Sequence, residues 1–251
     1  MSTPKLLIIQ PDLSDPAGPL GTWLREAGAE LDVRLPPRHE IPESLDGYDG
    51  VVCLGGGMGA QDDAKHPWLA QVRRLLAAAA GASMPTLGIC LGAQLLTVAT
   101  GGRVAKGAAG PEIGPGLVAK KDVAWMDPLF ADLPMVQDVV QFHTDVIEQL
   151  PPGAELLGSA PRYQHQAFRL NRRVYGIQFH IETTPAVLKA WADAEPDLAA
   201  YARPGVFEPE ALTRLHEDIA ETWRPFAERF VRLADGELEP AQDKSRMLPL
   251  A

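Results

Sequence analysis

The chain has 251 residues, 46% hydrophobic and 22% charged, with 33 acidic side chains against 23 basic ones for a formal charge of -10. This is enough chain for one large α/β domain with a well-buried core, and the charge, with no basic run anywhere, excludes a nucleic-acid backbone or an anionic lipid surface as partner. The apolar run in the opening MSTPKLLIIQPDLSDPAG is far shorter than a spanning helix and no signal-type cleavage region follows it, so no membrane segment and a cytoplasmic chain are expected.

In chain order, KLLIIQ (5–10) reads as a buried strand, GPLGTWLREAGA (18–29) as a helix, ELDVRL (30–35) as a strand, and YDGVVCLGGG (48–57) as a strand running into glycines. HPWLAQVRRLLAAAAGA (66–82) is a helix, PTLGIC (85–90) a strand, and a helix starts at Leu91 and runs to Thr100. Continuous apolar strands separated by helices predict a mainly parallel sheet covered on both faces. After Gly101 short strands dominate: RVAKG, GLVAKKDVAW, VQDVVQFH, ELLGSA, QAFRL and RVYGIQFH, with Leu170–Arg173 as a hairpin tip, so this section is antiparallel. From Pro185 everything reads as helical. Leu212, Leu215, Ile219, Trp223, Phe226, Phe230 and Leu233 recur at steps of three and four and form one apolar face, expected to pack on the same domain. Pro225 should kink that helix, since it has no N–H for the carbonyl of Glu221. PAQDKSRMLPLA at the end reads as a tail.

The two cysteines, Cys53 and Cys90, allow at most one bridge and suit a reducing compartment. Cys53 sits mid-strand among apolar neighbours and reads as core. Cys90 is different. Gly88-Ile89-Cys90-Leu91-Gly92 is G-x-C-x-G at a strand-to-helix corner, where glycines two before and two after let backbone crowd a central residue that is pushed out over the sheet edge. The helix starting at Leu91 points its N-terminal amides at the sulfur and favours the thiolate. A nucleophile of this kind needs a base, and the base an orienting acceptor. GIQFHIET (176–183) offers His180 with Glu182 two residues on, on one face if the segment is a strand.

Together these residues resemble the class I (triad) glutamine amidotransferases, in particular the free-standing GMP-synthase-like amidotransferase domains, whose signature is a G-x-C-x-G elbow followed downstream by F-H-x-E. The resemblance implies a flavodoxin-like α/β fold: a mainly parallel central sheet flanked by helices, with an antiparallel strand section and a helical C-terminal extension. It also implies a division into an amidotransferase domain over 1–190 and an extension over 191–251 packed on it. It assigns the catalytic triad to Cys90, His180 and Glu182. Ile181 stands where most members have proline. LGGGMGA (54–60) matches the family's oxyanion loop, so Gly56 and Leu91 would supply the oxyanion amides, with Gly57 as the alternative in the loop. Gln94, His143 and Asp145 fall on substrate-binding positions, and Glu112-Ile113-Gly114 matches a family segment without a derived role.

The loop also fits the dinucleotide pattern G-x-G-x-x-A through Gly55, Gly57 and Ala60, but no helix begins directly after it and no acid follows where a ribose would need one, so nucleotide binding is not expected. His39, His66, His165 and His216 share no ligand spacing, and no metal or other cofactor is expected. The implied substrate is a small molecule: glutamine, hydrolysed through a cysteine thioester to glutamate and ammonia. These residues hold no Ser-Gly-Gly-x-Asp-Ser or G-x-x-x-x-G-K-[ST] phosphate loop, so an ammonia-accepting synthetase subunit is the implied partner. A γ-glutamyl peptidase or amidase using the same triad is the alternative reading, and a non-catalytic regulatory protein the third.

Overall fold

The structure is a computed structural model that describes residues 3–36 and 38–242. Its main sheet has nine strands in the order β2-β1-β3-β4-β11-β10-β9-β6-β7. The first five, β2 (Glu30–Arg34), β1 (Lys5–Ile9), β3 (Gly50–Cys53), β4 (Thr86–Ile89) and β11 (Val174–Ile177), are mutually parallel. The rest, β10 (Ala167–Leu170), β9 (Glu155–Ser159), β6 (Glu112–Lys120) and β7 (Val136–His143), continue it antiparallel.

The continuous apolar runs follow from burial on both faces. Leu6 and Ile8 of β1 join one core and Leu7 and Ile9 the other, because side chains alternate along a strand. The first core is closed by α1 (Gly18–Glu26) and α6 (Pro209–Ala234), the second by α2 (Leu69–Gly81) and α3 (Leu91–Ala99). All seven residues of the α6 apolar face are buried, and the helix lies against α1 and β7, with the Trp223 indole N–H donating to the Asp138 carbonyl at 3.0 Å. Phe130 meets Trp223 and Phe226 edge-on at 6.2 and 5.5 Å between centroids, a favourable aromatic geometry. The helix carries on through Pro225 to Ala234.

Several expectations need correction. DVIEQ, which the sequence reading passes over, is β8 (Asp145–Gln149), paired with β5 (Arg103–Lys106) in a separate two-stranded sheet. GLVAKKDVAW is not one strand: β6 stops at Lys120 and Asp122–Met126 is a 3-10 turn. The break is fixed by Lys120, whose buried ammonium donates to the carbonyls of Phe130, Ala131 and Leu133 at 3.1, 2.8 and 2.7 Å. RVYGIQFH likewise ends as a strand at Ile177, and 178–183 is a bend with one bridge, Val140 to His180. The stretch after Pro185 is not all helix: α4 (Pro185–Ala194) and the short α5 (Pro196–Ala199) are followed by turns up to α6. Ala241, in the expected tail, is buried and exchanges backbone and side-chain hydrogen bonds with Arg172; 243–251 lie outside the described residues.

Candidate active site

Four neighbouring parallel strands deliver the site from their carboxyl ends, the edge at which α/β sheets hold their ligands. β1 leads into the loop carrying Asp12 and Asp15, β3 into Gly55-Gly56-Gly57, β4 into Cys90, and β11 into the bend carrying His180 and Glu182.

Cys90 is the N-cap of α3 with φ 48° and ψ -109°, a backbone conformation an L-residue reaches only under constraint. The glycines supply the constraint. A Cβ on Gly88 would lie 2.7 Å from Ala93 N and from the Gly92 carbonyl, and one on Gly92 would overlap the Cys53 carbonyl oxygen. Helix α3 can therefore sit directly on β3, which turns the thiol toward the sheet edge. Cys90 and His180 both line a cavity of about 650 Å³ together with Gly56, Gly57, Phe142 and Trp191.

His180 is 2% exposed, and its Nδ1 is 2.6 Å from Glu182 Oε1; the other carboxylate oxygen accepts the Ile181 N–H at 2.8 Å. The ring orientation is thus set by a turn that folds the carboxylate back on the imidazole, not by the strand alternation expected from the sequence. Isoleucine at 181 is compatible with this turn because its N–H is one of the groups that fix the carboxylate, and a proline there would have none. Burial is the largest influence on the His180 ring and favours its neutral form, but the charges of Glu182 and Cys90 outweigh it, and the ring pKa stands well above the ordinary 6.5. Glu182 moves the opposite way: burial is again the largest influence and pushes it up, but the His180 charge and its hydrogen bonds hold it below its ordinary value. Trp191 of α4 meets the His180 ring edge-on at 4.9 Å and donates its indole N–H to the Ser14 carbonyl at 2.8 Å, closing one wall of the cavity.

Leu91 N–H is the first amide of α3 and has no intrahelical partner by position. Gly56 packs against Leu91, where an added Cβ would come within 3.1 Å of its side chain. The Gly57 N–H donates to Asp12 Oδ2 at 3.3 Å, so that amide is engaged.

Gln94, His143 and Asp145 come together but do not line the cavity. Gln94 Nε2 donates to the Asp145 carbonyl at 3.0 Å and approaches Gln178 Oε1 at 3.4 Å. His143 is buried, with Nδ1 3.0 Å from the Asp145 carbonyl, and Nε2 3.0 Å from Gln141 Oε1 and 3.3 Å from Glu112 Oε2, which gives Glu112 a partner the sequence did not suggest. The Gln94 and His143 side chains thus converge on the Asp145 backbone carbonyl, and of this segment it is Phe142 that reaches the cavity.

Sequence reasoning missed Asp15, Gln178 and Trp191. Asp15 is 2% exposed with Oδ2 4.0 Å from His180 Nδ1, and the amide of Gln178 lies 4.0 Å from the Cys90 sulfur. An acid in the loop after the first parallel strand is a signal that could have found Asp15, since that loop opens onto the ligand edge. Asp15, His180 and Glu182 have ligand-type atoms within 4.8 Å of one another, the spread of a cation cage. His180 Nδ1 is already hydrogen-bonded to Glu182, however, and we read the three as a hydrogen-bonded set.

Among the described residues no helix is long and apolar enough to cross a membrane. The family model for class-I glutamine amidotransferases matches residues 21–190. A glutamine-hydrolysing GMP synthase of Staphylococcus aureus strain JH9 is 39% identical over 100 residues, which is 39% of this chain and 18% of that protein, so the match covers under a fifth of the curated relative's length. Among solved structures, a glutamine amidotransferase from Thermotoga maritima superposes with a TM-score of 0.81 at 29% identity, over 92% of this chain and 99% of that one. Another, from Methylobacillus flagellatus, gives 0.77 at 25% identity over 97% and 98%. With the family model matching well over half its length and the elbow and the His-Glu turn at the sheet edge, the chain belongs to the class-I glutamine amidotransferase family.

Proposed function

We propose that the protein hydrolyses the side-chain amide of glutamine through a thioester on Cys90 and passes the ammonia to a synthetase. The observation that carries this reading is the imidazole of His180, held on one side by Glu182 at 2.6 Å and facing Cys90 at a cavity floor on the other. The Cys90 thiolate attacks the amide carbon, and the carbonyl oxygen becomes an oxyanion held by the Gly56 and Leu91 amides. His180 gives its proton to the departing nitrogen, so ammonia leaves and a γ-glutamyl thioester remains. The neutral ring then takes a proton from water, hydroxide adds to the thioester, and glutamate leaves as the thiolate is restored. Glu182 keeps the tautomer and orientation constant through both halves. The partner follows from the GMP synthase likeness: that relative hydrolyses glutamine as part of a longer protein, of which this chain matches only a part.

One observation favours a second reading, hydrolysis of an N-substituted γ-glutamyl amide. The cavity extends from Cys90 along Leu13, Pro16, Val187 and Trp191, far beyond what an amide nitrogen occupies, and no lysine or arginine is among its lining residues while Asp12 and Glu195 are. Such a wall fits an apolar or cationic amine and repels an anionic one.

The test is glutamate release from glutamine and from γ-glutamyl amides of apolar, cationic and anionic amines, with and without a co-purified synthetase. Glutamine turnover that falls at least about a thousandfold in Cys90→Ala supports the first reading. Idle glutamine beside rapid turnover of an apolar or cationic γ-glutamyl amide replaces it with the second. No release from any of them in any setting defeats both.

A further inference from the structure

We propose that Asp15 is a positioning residue of the site, whose carboxylic acid hydrogen-bonds Glu182 and so sets how tightly Glu182 holds the His180 ring. The inference rests on reading Cys90, His180 and Glu182 as the triad, and goes beyond it by giving the base a second acid.

Packing alone brings Asp15 there. Its loop is pressed onto the bend by two glycines: Gly18, at φ +42°, where an added Cβ would overlap the Glu182 carbonyl, and Gly55, where one would overlap Asp15 Oδ2 and come within 2.9 Å of His180 Cε1. From outside, the Trp191 indole pins the same loop through the Ser14 carbonyl at 2.8 Å. Within this wedge Asp15 Oδ2 stands 4.0 Å from His180 Nδ1, and the ligand atoms of Asp15, His180 and Glu182 lie within 4.8 Å of one another. Asp15 Oδ1 is buried and takes no partner from a neighbouring donor. A carboxylate in that position would be costly, because a buried charged oxygen without a donor loses its hydration for nothing.

The charged and titratable groups around Asp15 point the same way. Glu182 faces it from the bend, Asp12 from its own loop, His180 from the ring edge, and the Cys53 thiol from the end of β3. Only His180 is cationic. Burial first, and then the Glu182 charge, push the Asp15 carboxyl well above the usual carboxylate range. Two carboxyl groups sharing a dry site cannot both ionise cheaply, and Glu182, which holds the imidazolium and the Ile181 N–H, is the one that keeps its charge. Asp15 is then a donor, and the acceptor beside it is Glu182.

A proton shared with Asp15 weakens the pull of Glu182 on the ring. This matters to the second half of the reaction. A ring held too firmly as imidazolium protonates the leaving nitrogen well but cannot take a proton from water, so the acid beside Glu182 balances the two roles of one imidazole.

The test is the rate at which iodoacetamide alkylates Cys90 as a function of pH, read by mass spectrometry in the wild type, Asp15→Asn, Asp15→Ala and His180→Asn, with circular dichroism confirming that each is folded. Alkylation needs no substrate, so it does not depend on which amide is cleaved. Asparagine keeps a neutral donor beside Glu182 and should rescue: a profile superimposable on wild type and glutamine or γ-glutamyl turnover within about threefold of it. Alanine leaves Glu182 unshared, so the upper inflection, where His180 gives up its proton, should move up by about one pH unit, with thioester hydrolysis at neutral pH about tenfold slower. An alanine profile identical to wild type overturns the proposal, as does an asparagine variant as impaired as alanine. So does a zinc-dependent loss of alkylation in the wild type that Asp15→Asn abolishes, which would make Asp15 a ligand. A His180→Asn profile identical to wild type would instead defeat the triad reading itself, and the two failures are distinguishable.

Discussion

Two cysteines sit at the carboxyl ends of adjacent parallel strands, and they have opposite fates. Cys53 is the last residue of β3; it is fully buried, and burial pushes its thiol far up. Cys90 follows β4, paired one strand over, and lines the cavity. Composition does not separate them, and neither does strand position. What differs is the backbone after the strand: β3 runs on into glycines, while β4 turns at once into a helix through a residue at φ 48°. Backbone geometry is what sets the two strand ends apart, and the His180 imidazole reaches the Cys90 end from a distant segment.

The severest way to break the comparison is to separate the two ends. Gly92 lets α3 rest on the Cys53 carbonyl, and a methyl group there overlaps backbone that cannot yield as a side-chain tip can. Gly92→Ala should cost about 3 kcal/mol or more in chemical denaturation, and any folded remainder should lose turnover. A variant as stable as wild type would show that the elbow is not held against β3.

The next effect tests the charge that only the Cys90 end acquires. Glu182→Gln keeps an acceptor but removes the charge facing His180, and turnover should fall by about a hundredfold or more. The stability effect has a defined pH window. The folded His180 pKa is raised, so its contribution is complete below the ordinary 6.5 and is lost as pH rises through the raised value. The folded Glu182 pKa is lowered, so its contribution is present above the ordinary 4.5 and is lost as pH falls through the lowered value. The wild type should therefore exceed Glu182→Gln by the most between these ordinary values, by about 2 kcal/mol, with the gap narrowing on both sides. A gap independent of pH would mean that the glutamate acts by shape alone.

How much of this could be read from the residues follows from the range of each contact. The elbow is five consecutive residues and the His-Glu pair is three, so both are visible as strings, and the alternating cores of the apolar strands follow from period-two burial. The loop after β1 marks Asp15 as facing the ligand edge, but its contact with a carboxylate far along the chain, enforced by Gly18 and Gly55, leaves no trace in the string. DVIEQ escaped because only Val146 and Ile147 are buried, and its pairing is with distant β5. The resemblance puts Gln94, His143 and Asp145 at substrate-binding positions, but does not tell that the Gln94 and His143 side chains turn instead to the Asp145 backbone carbonyl. The end of β6 at Lys120 goes with an ammonium reaching three carbonyls, a contact with no local signature.

The smallest effect isolates the backbone difference from everything the sulfur does. Replacing each cysteine once by alanine and once by glycine removes the thiol in all four variants and leaves only the Cβ as the variable. In a strand, glycine is worse than alanine by about 1 kcal/mol because the unfolded chain gains freedom, so Cys53→Gly should be less stable than Cys53→Ala by that amount. At 90 the native φ is positive, where a Cβ is strained by about 1 to 3 kcal/mol, and releasing it should offset or exceed the same entropic loss. Cys90→Gly should therefore be as stable as Cys90→Ala or more so, a reversal of order between two adjacent strand ends, read from paired thermal unfolding curves. Both Cys53 variants should still alkylate at Cys90, because the thiol at 53 faces the core beneath α3 and plays no part in the cavity. The same order at both positions would mean that the turn at 90 carries no strain, and that the helix start alone brings Cys90 to the cavity.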